Sequence, residues 1–150
     1  MSLQEQVSEQ MKVAMKTKDK VALEALRAVK SALLLARTET GSSEGMTEEE
    51  EVKLVQKLVK QRKDSATIYK EQGRDDLADP ELAQVAVIEQ FLPEQLSEEE
   101  IEKVVDSSIE ATGATGMKDM GKVMGLVSKK LAGQADGKTI STIVKARLSK

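Results

Sequence analysis

Apolar residues recur along this chain at steps of three and four, the spacing that lines one side of an α-helix. Leu3, Val7, Met11 and Met15 make a first stripe, and Ala22, Leu26, Val29 and Leu33 a second. Val52, Val55, Leu58 and Val59, continued by Ala66 and Tyr69, make a third, and Leu82, Val85, Ile88 and Phe91 a fourth. No segment alternates apolar and polar residues with the two-residue period of a strand. The pattern predicts an all-α protein.

Polar residues between the stripes mark starts and stops. Ser2 and Glu5, Thr47 and Glu50, and Ser97 and Glu100 each set a hydroxyl three residues before a glutamate, the spacing of a capping box. Leu96 and Ile101 flank the last of these as a hydrophobic staple. The second helix is predicted over about 19–38, followed by a loop at "TETGSSEGM" (38–46). The third is predicted from 47 to about 72, with Gly73 as its C′ residue. Asp79 followed by Pro80 predicts an N-cap and a proline at the first helical position, which starts the fourth helix there. Pro93 marks the joint between a helical N-terminal domain, 1–93, and a compact three-helix domain, 94–150. The predicted helices of the second domain run to about 111, then over 118–132 and 137–149, with Gly133 between the last two and Asp136 as N-cap.

Composition narrows the chemistry. The chain has no cysteine and no histidine, which excludes disulfides, thiolate nucleophiles, imidazole bases and zinc sites with Cys or His ligands. Carboxylate-bound Mg²⁺ stays open, but the acids gather in first turns such as Glu48–Glu51 and Glu98–Glu100, where the helix dipole accounts for them. No nucleophile–base pair and no glycine-rich loop after a strand can be found, so no catalytic residue, metal site or cofactor is expected. The first twenty residues lack an apolar signal core, and no apolar run approaches the roughly 20 residues that span a bilayer. The expectation is a cytoplasmic protein with no membrane partner.

Charge then singles out one end. Residues 113–150 carry eight Lys/Arg and two acids, a balance of +6, which leaves −9 for residues 1–112 out of a net −3. A basic end on an acidic body suggests a polyanion partner there, or else a lysine-rich solvated surface. Three stripes run along the helix near Lys118. Met120, Val123, Met124, Val127 and Leu131 make a core face, with the methionines as core fillers. Gly121, Gly125, Ser128 and Ala132 make a smooth face, and Lys118, Lys122 and Lys129 a positive one. The smooth face suits either close packing of another helix or the approach of a polyanion backbone whose phosphates the lysines neutralise. Lys130, Lys138, Lys145 and Arg147 extend the basic set, and the helix start at "GQADG" (133–137) is a turn plus N-cap that could also hold an anion. A second cluster, "KLVKQRKDS" (57–65), offers Lys60, Arg62 and Lys63 as a solvated face, a second phosphate patch or a polar joint.

Four ordered stretches, "KQRKDS" (60–65), "FLPEQLSEEE" (91–100), "KDMGKVMG" (118–125) and "GQADG" (133–137), resemble the GatB/YqeY family across almost the whole chain. The C-terminal unit resembles the tail of the B subunit of aspartyl/glutamyl-tRNA(Asn/Gln) amidotransferase. The tail pattern falls on Gly125, Lys129, Gly133, Ala135 and Asp136. Gln134 stands where the family commonly has a lysine or arginine, and Gly137 where the amidotransferase tail has proline. The resemblance implies a helical domain followed by a three-helix tail that helps hold tRNA, without the large domain in which transamidation occurs. It also implies a family-level label of carbon–nitrogen ligase with glutamine as amido donor, a chemistry these residues do not support. The function expected first is a non-catalytic accessory protein binding tRNA or another folded RNA. A protein-interaction adaptor docking a partner helix is the alternative, and an amidotransferase-type enzyme the third. With both aromatics, Tyr69 and Phe91, outside the basic end, stacking of single strands is not expected there.

Overall fold

The computed structural model describes residues 2–41 and 45–149, with the Thr40 side chain also outside the described set. The described residues form helices and one short 3₁₀ turn, with no strand. They pack as two compact units, Met1–Leu92 and Pro93–Lys150. No described helix is long and apolar enough to cross a membrane.

The first unit holds α1 (Leu3–Thr17), α2 (Lys20–Thr40), α3 (Glu48–Glu71) and α4 (Asp75–Glu89). Capping boxes start α1 and α3 as the sequence predicts: the Ser2 and Thr47 hydroxyls accept from the third helical N–H, and Glu5 and Glu50 accept from the cap N–H in return. The buried core joins Leu3, Val7, Leu26, Val29, Val55, Val59 and Ile88, with Met11, Leu58 and Phe91 packed around it.

Three expectations change here. Met15 is 54% exposed and Ala14 is buried in its place. Four-residue steps overshoot a full turn, so a stripe of Leu3, Val7, Met11 and Met15 drifts round the helix until a three-residue step must correct it. The loop expected over 38–46 starts later, because α2 continues to Thr40 and ends on Gly41 in the left-handed region at φ 61. The middle of that expected loop, 42–44, lies outside the described residues. The fourth helix begins at Asp75, not at Pro80, which sits inside it. Ala78 is wholly buried, so packing winds the chain five residues ahead of the proline despite the lost hydrogen bond, and at the helix start Arg74 forks locally onto Asp76 with two exposed 3.0 Å bonds.

The second unit holds α5 (Glu98–Thr112), the 3₁₀ turn Met117–Asp119, α6 (Met120–Lys130) and α7 (Gly137–Leu148). Each of the three α-helices packs on the other two. Ile101 and Val105 of α5, Val123, Val127 and Leu131 along α6, and Ile140, Val144 and Leu148 of α7 close one aliphatic core. Asp136 caps α7 as expected, accepting from the Thr139 N–H at 2.6 Å.

Candidate nucleic-acid interface

The inward stripe of α6 fixes where its lysines point. Val123 and Val127 are fully buried and Leu131 nearly so, while Met120 and Met124 pack partly exposed against the same core. With 3.6 residues per turn, that choice turns Lys118, Lys122 and Lys129 to the opposite side. All three, and Lys130, are exposed, and no described carboxylate lies within 4.0 Å of them. Lys138 and Lys145 of α7 are likewise exposed and unpaired. Arg147 differs: its Nη2 donates to Glu102 at 3.0 Å and its Nε lies 3.5 Å from Asp106, so it ties α7 to α5. Neither α6 nor α7 contains an acidic residue, and α5 carries six. The three-helix unit is therefore polarised, acidic along α5 and basic along the other two.

The smooth stripe is not a packing face within this unit. Gly121, Gly125, Ser128 and Ala132 are exposed, and a Cβ added at Gly121 or Gly125 would meet nothing within 4 Å. Close helix packing, one of the two expectations for these glycines, does not account for them here. Their cost to the helix, about 1 kcal/mol each relative to alanine, is left without an internal compensation.

The other three motif stretches hold the fold together. Leu96 N–H donates to the Gln134 carbonyl at 3.0 Å, and Gln95 Nε2 donates to the Gly133 carbonyl at 2.7 Å. So "FLPEQLSEEE" and "GQADG" grip each other: the entry to α5 is fastened to the turn before α7. That turn needs Gly133, whose φ of 78 suits glycine. In "KQRKDS" all three cations have partners. Lys60 reaches Asp64 at 2.7 Å and Lys63 reaches Glu89 at 3.1 Å. Arg62 donates from Nε to Gln84 at 2.9 Å and from Nη1 to the Leu58 carbonyl, inside the α3–α4 hairpin. Only "KDMGKVMG" directs its distinctive residues at solvent.

Two features had no sequence signal. Ser108 lies fully buried on the core side of α5, and its hydroxyl has no hydrogen-bond partner. A groove of about 410 Å³ runs between α5 and α7, lined by Glu98, Glu102, Lys138, Thr142, Ile143 and Arg147 among others. Its residues lie some 40 positions apart, beyond any periodicity. Among the described residues no group of three or more Asp or Glu side chains is placed to hold a metal ion.

The family profile described as "Yqey-like protein" matches residues 4–148. The chain belongs to that family. It is 41% identical over 73 residues to the E subunit of the glutamyl-tRNA(Gln) amidotransferase of Thermococcus gammatolerans, a match covering 46% of this chain and 12% of that subunit. It is 30% identical over 128 residues to "Altered inheritance of mitochondria protein 41, mitochondrial" of Pyrenophora tritici-repentis, covering 83% of this chain and 68% of that protein. The chain thus spans only about an eighth of the amidotransferase subunit it resembles.

Proposed function

We propose that this Yqey-like protein is a non-catalytic accessory protein that binds folded RNA, tRNA foremost, through the lysines of α6 and α7. One observation carries the reading. Of the four motif stretches, "KDMGKVMG" is the one whose lysines and glycines have no internal role: Lys118 and Lys122 face solvent with no described carboxylate partner, beside the open backbone of Gly121 and Gly125. Exposed lysines suit phosphates, because each neutralised phosphate releases condensed counterions and the gain needs no particular base. The similarity to an amidotransferase named for glutamyl-tRNA(Gln) supports RNA as the polyanion.

The test is binding of bulk tRNA to the purified chain across a salt series. Affinity should fall steeply between about 50 and 200 mM salt, and Lys122→Ala with Lys129→Ala should weaken it at least about fivefold at the lower salt with helicity unchanged. Binding that ignores salt, or none at low salt, removes the reading.

The open glycine stripe supports a second reading, a protein-interaction adaptor in which a partner helix lies along Gly121 and Gly125. A pull-down that survives nuclease treatment but is lost in Gly125→Leu, with the fold intact, would favour it over RNA.

A further inference from the structure

The basic face of α6 and α7 lacks the side chains that stack on or fork onto an unpaired RNA base. Lysine and serine can read base edges in an open major groove, but that of an A-form RNA helix is too deep and narrow for side chains. Splayed-out bases are held by arginine planes, amides and stacking aromatics. The chain has no asparagine or tryptophan, and its tyrosine and phenylalanine, Tyr69 and Phe91, both lie outside Pro93–Lys150. The unit's one arginine, Arg147, is bound to Glu102 and Asp106. Of its two glutamines, Gln95 has its amide nitrogen on the Pro93 and Gly133 carbonyls, and Gln134 is part-buried in the turn before α7. What remains exposed is lysine, a point charge on a flexible stem, and short hydroxyls such as Ser128 that reach less far than the lysines around them.

From this we infer that the face takes double-stranded RNA stems by their phosphates and is blind to their sequence. The inference rests on the RNA reading above and names which part of a folded RNA is held. Two physical terms favour a duplex over a loop or free strand. A duplex presents about twice the axial charge density of one strand, and each neutralised phosphate releases more counterion from it, with slopes per phosphate of about −0.9 for duplex DNA against about −0.7 for single strands. Single strands regain that deficit in other proteins by stacking on aromatics, which this unit does not have. The lysine row also favours a preformed target: Lys118 in the 3₁₀ turn and Lys122 and Lys129 on α6 span roughly 16 Å along the axis at helical rise. A duplex already holds its phosphates in a row, so it loses less chain entropy on meeting them than a free strand does.

The experiment compares a duplex of about 20 base pairs of RNA, each of its two strands alone, and a second duplex of unrelated sequence, all with the full chain at about 50 mM salt, and repeats the two duplexes up to about 200 mM. The duplex should bind at least about tenfold more tightly than either strand, and the two duplexes should agree within about twofold. Lys122→Ala should lower the log–log salt slope for both duplexes by about one, a change that mere loss of folding would not confine to one contact. Preference for a single strand, or a roughly tenfold difference between the duplexes, overturns the inference and leaves RNA binding standing. No binding to any of the four RNAs overturns both.

Discussion

α5 and α6 are neighbours in one core, and they are built on opposite terms. α5 opens with a full capping box at Ser97 and Glu100, carries three glutamates in its first turn where the dipole favours them, and closes on Gly113 at φ 67. α6 opens from a 3₁₀ turn with no side-chain cap, because the Asp119 carboxylate accepts from the Thr115 N–H behind it rather than from the helix ahead. It has two interior glycines and no acid, and its buried stripe is shared out over only 11 residues. Local chemistry stabilises α5, whereas α6 is helical because Val123, Val127 and Leu131 are buried. The helix that presents the cations is the one whose own sequence does least to keep it helical.

The largest effect should come from removing the burial that both helices share. Ile101→Ala deletes a buried side chain, 2% exposed, at the staple position of α5, and should cost about 3 kcal/mol in denaturant unfolding. Residue-resolved amide exchange should show the loss in α6 and α7 as well as α5. A loss confined to α5 would mean that α6 does not depend on the shared core. Next in size, Ser97→Ala should cost about 1 kcal/mol by freeing the N–H of Glu100. Asp119→Ala should cost a fraction of that, since its carboxylate bonds only the Thr115 N–H behind it. Equal losses from the two would erase the contrast between the capped and uncapped starts.

The same contrast explains what was legible in the sequence. Helices announced by caps, α1, α3, α5 and α7, start where Ser2, Thr47, Ser97 and Asp136 place them, since a hydroxyl or carboxylate bonding a nearby N–H is a local event. α4 failed that reading because the burial of Ala78, a tertiary outcome, carries the helix ahead of Pro80, whereas the exposed Arg74–Asp76 fork is a local pair. The drift from Met15 to Ala14 and the pairing of Arg147 with Glu102, 45 residues away, are likewise tertiary outcomes. At the candidate interface, periodicity sufficed to separate the core, smooth and positive faces of α6. It could not say that the smooth face would be left unpacked, nor that Lys60, Arg62 and Lys63 would all be partnered.

A change of the opposite sign tests α6 directly. Gly125→Ala should raise stability by up to about 1 kcal/mol, because alanine restricts the unfolded chain and the added methyl meets nothing within 4 Å. Gly121→Ala should act likewise, and the pair should slow amide exchange in α6 more than in α5. If neither stabilises, α6 is already held as firmly as its capped neighbour. If both stabilise while RNA affinity falls, the glycines are there for the ligand's approach and not for the fold.

The smallest effect belongs to α5, at the one place where its construction is imperfect. Ser108 faces the core with a hydroxyl that bonds nothing, although a helical serine can usually turn its O–H onto the carbonyl four residues back. An unpartnered buried hydroxyl forfeits its hydration for no return, and an apolar group of similar size avoids that loss. Ser108→Ala should therefore stabilise the unit by between zero and about 1 kcal/mol, seen as a shift in denaturation midpoint at constant slope. Ser108→Val separates size from polarity: its two methyls must fit a core already closed by Val105 and Val127, so it should destabilise relative to Ser108→Ala. A clear loss of stability in Ser108→Ala would show that the hydroxyl is engaged after all, and α5 would then be well formed along its whole length.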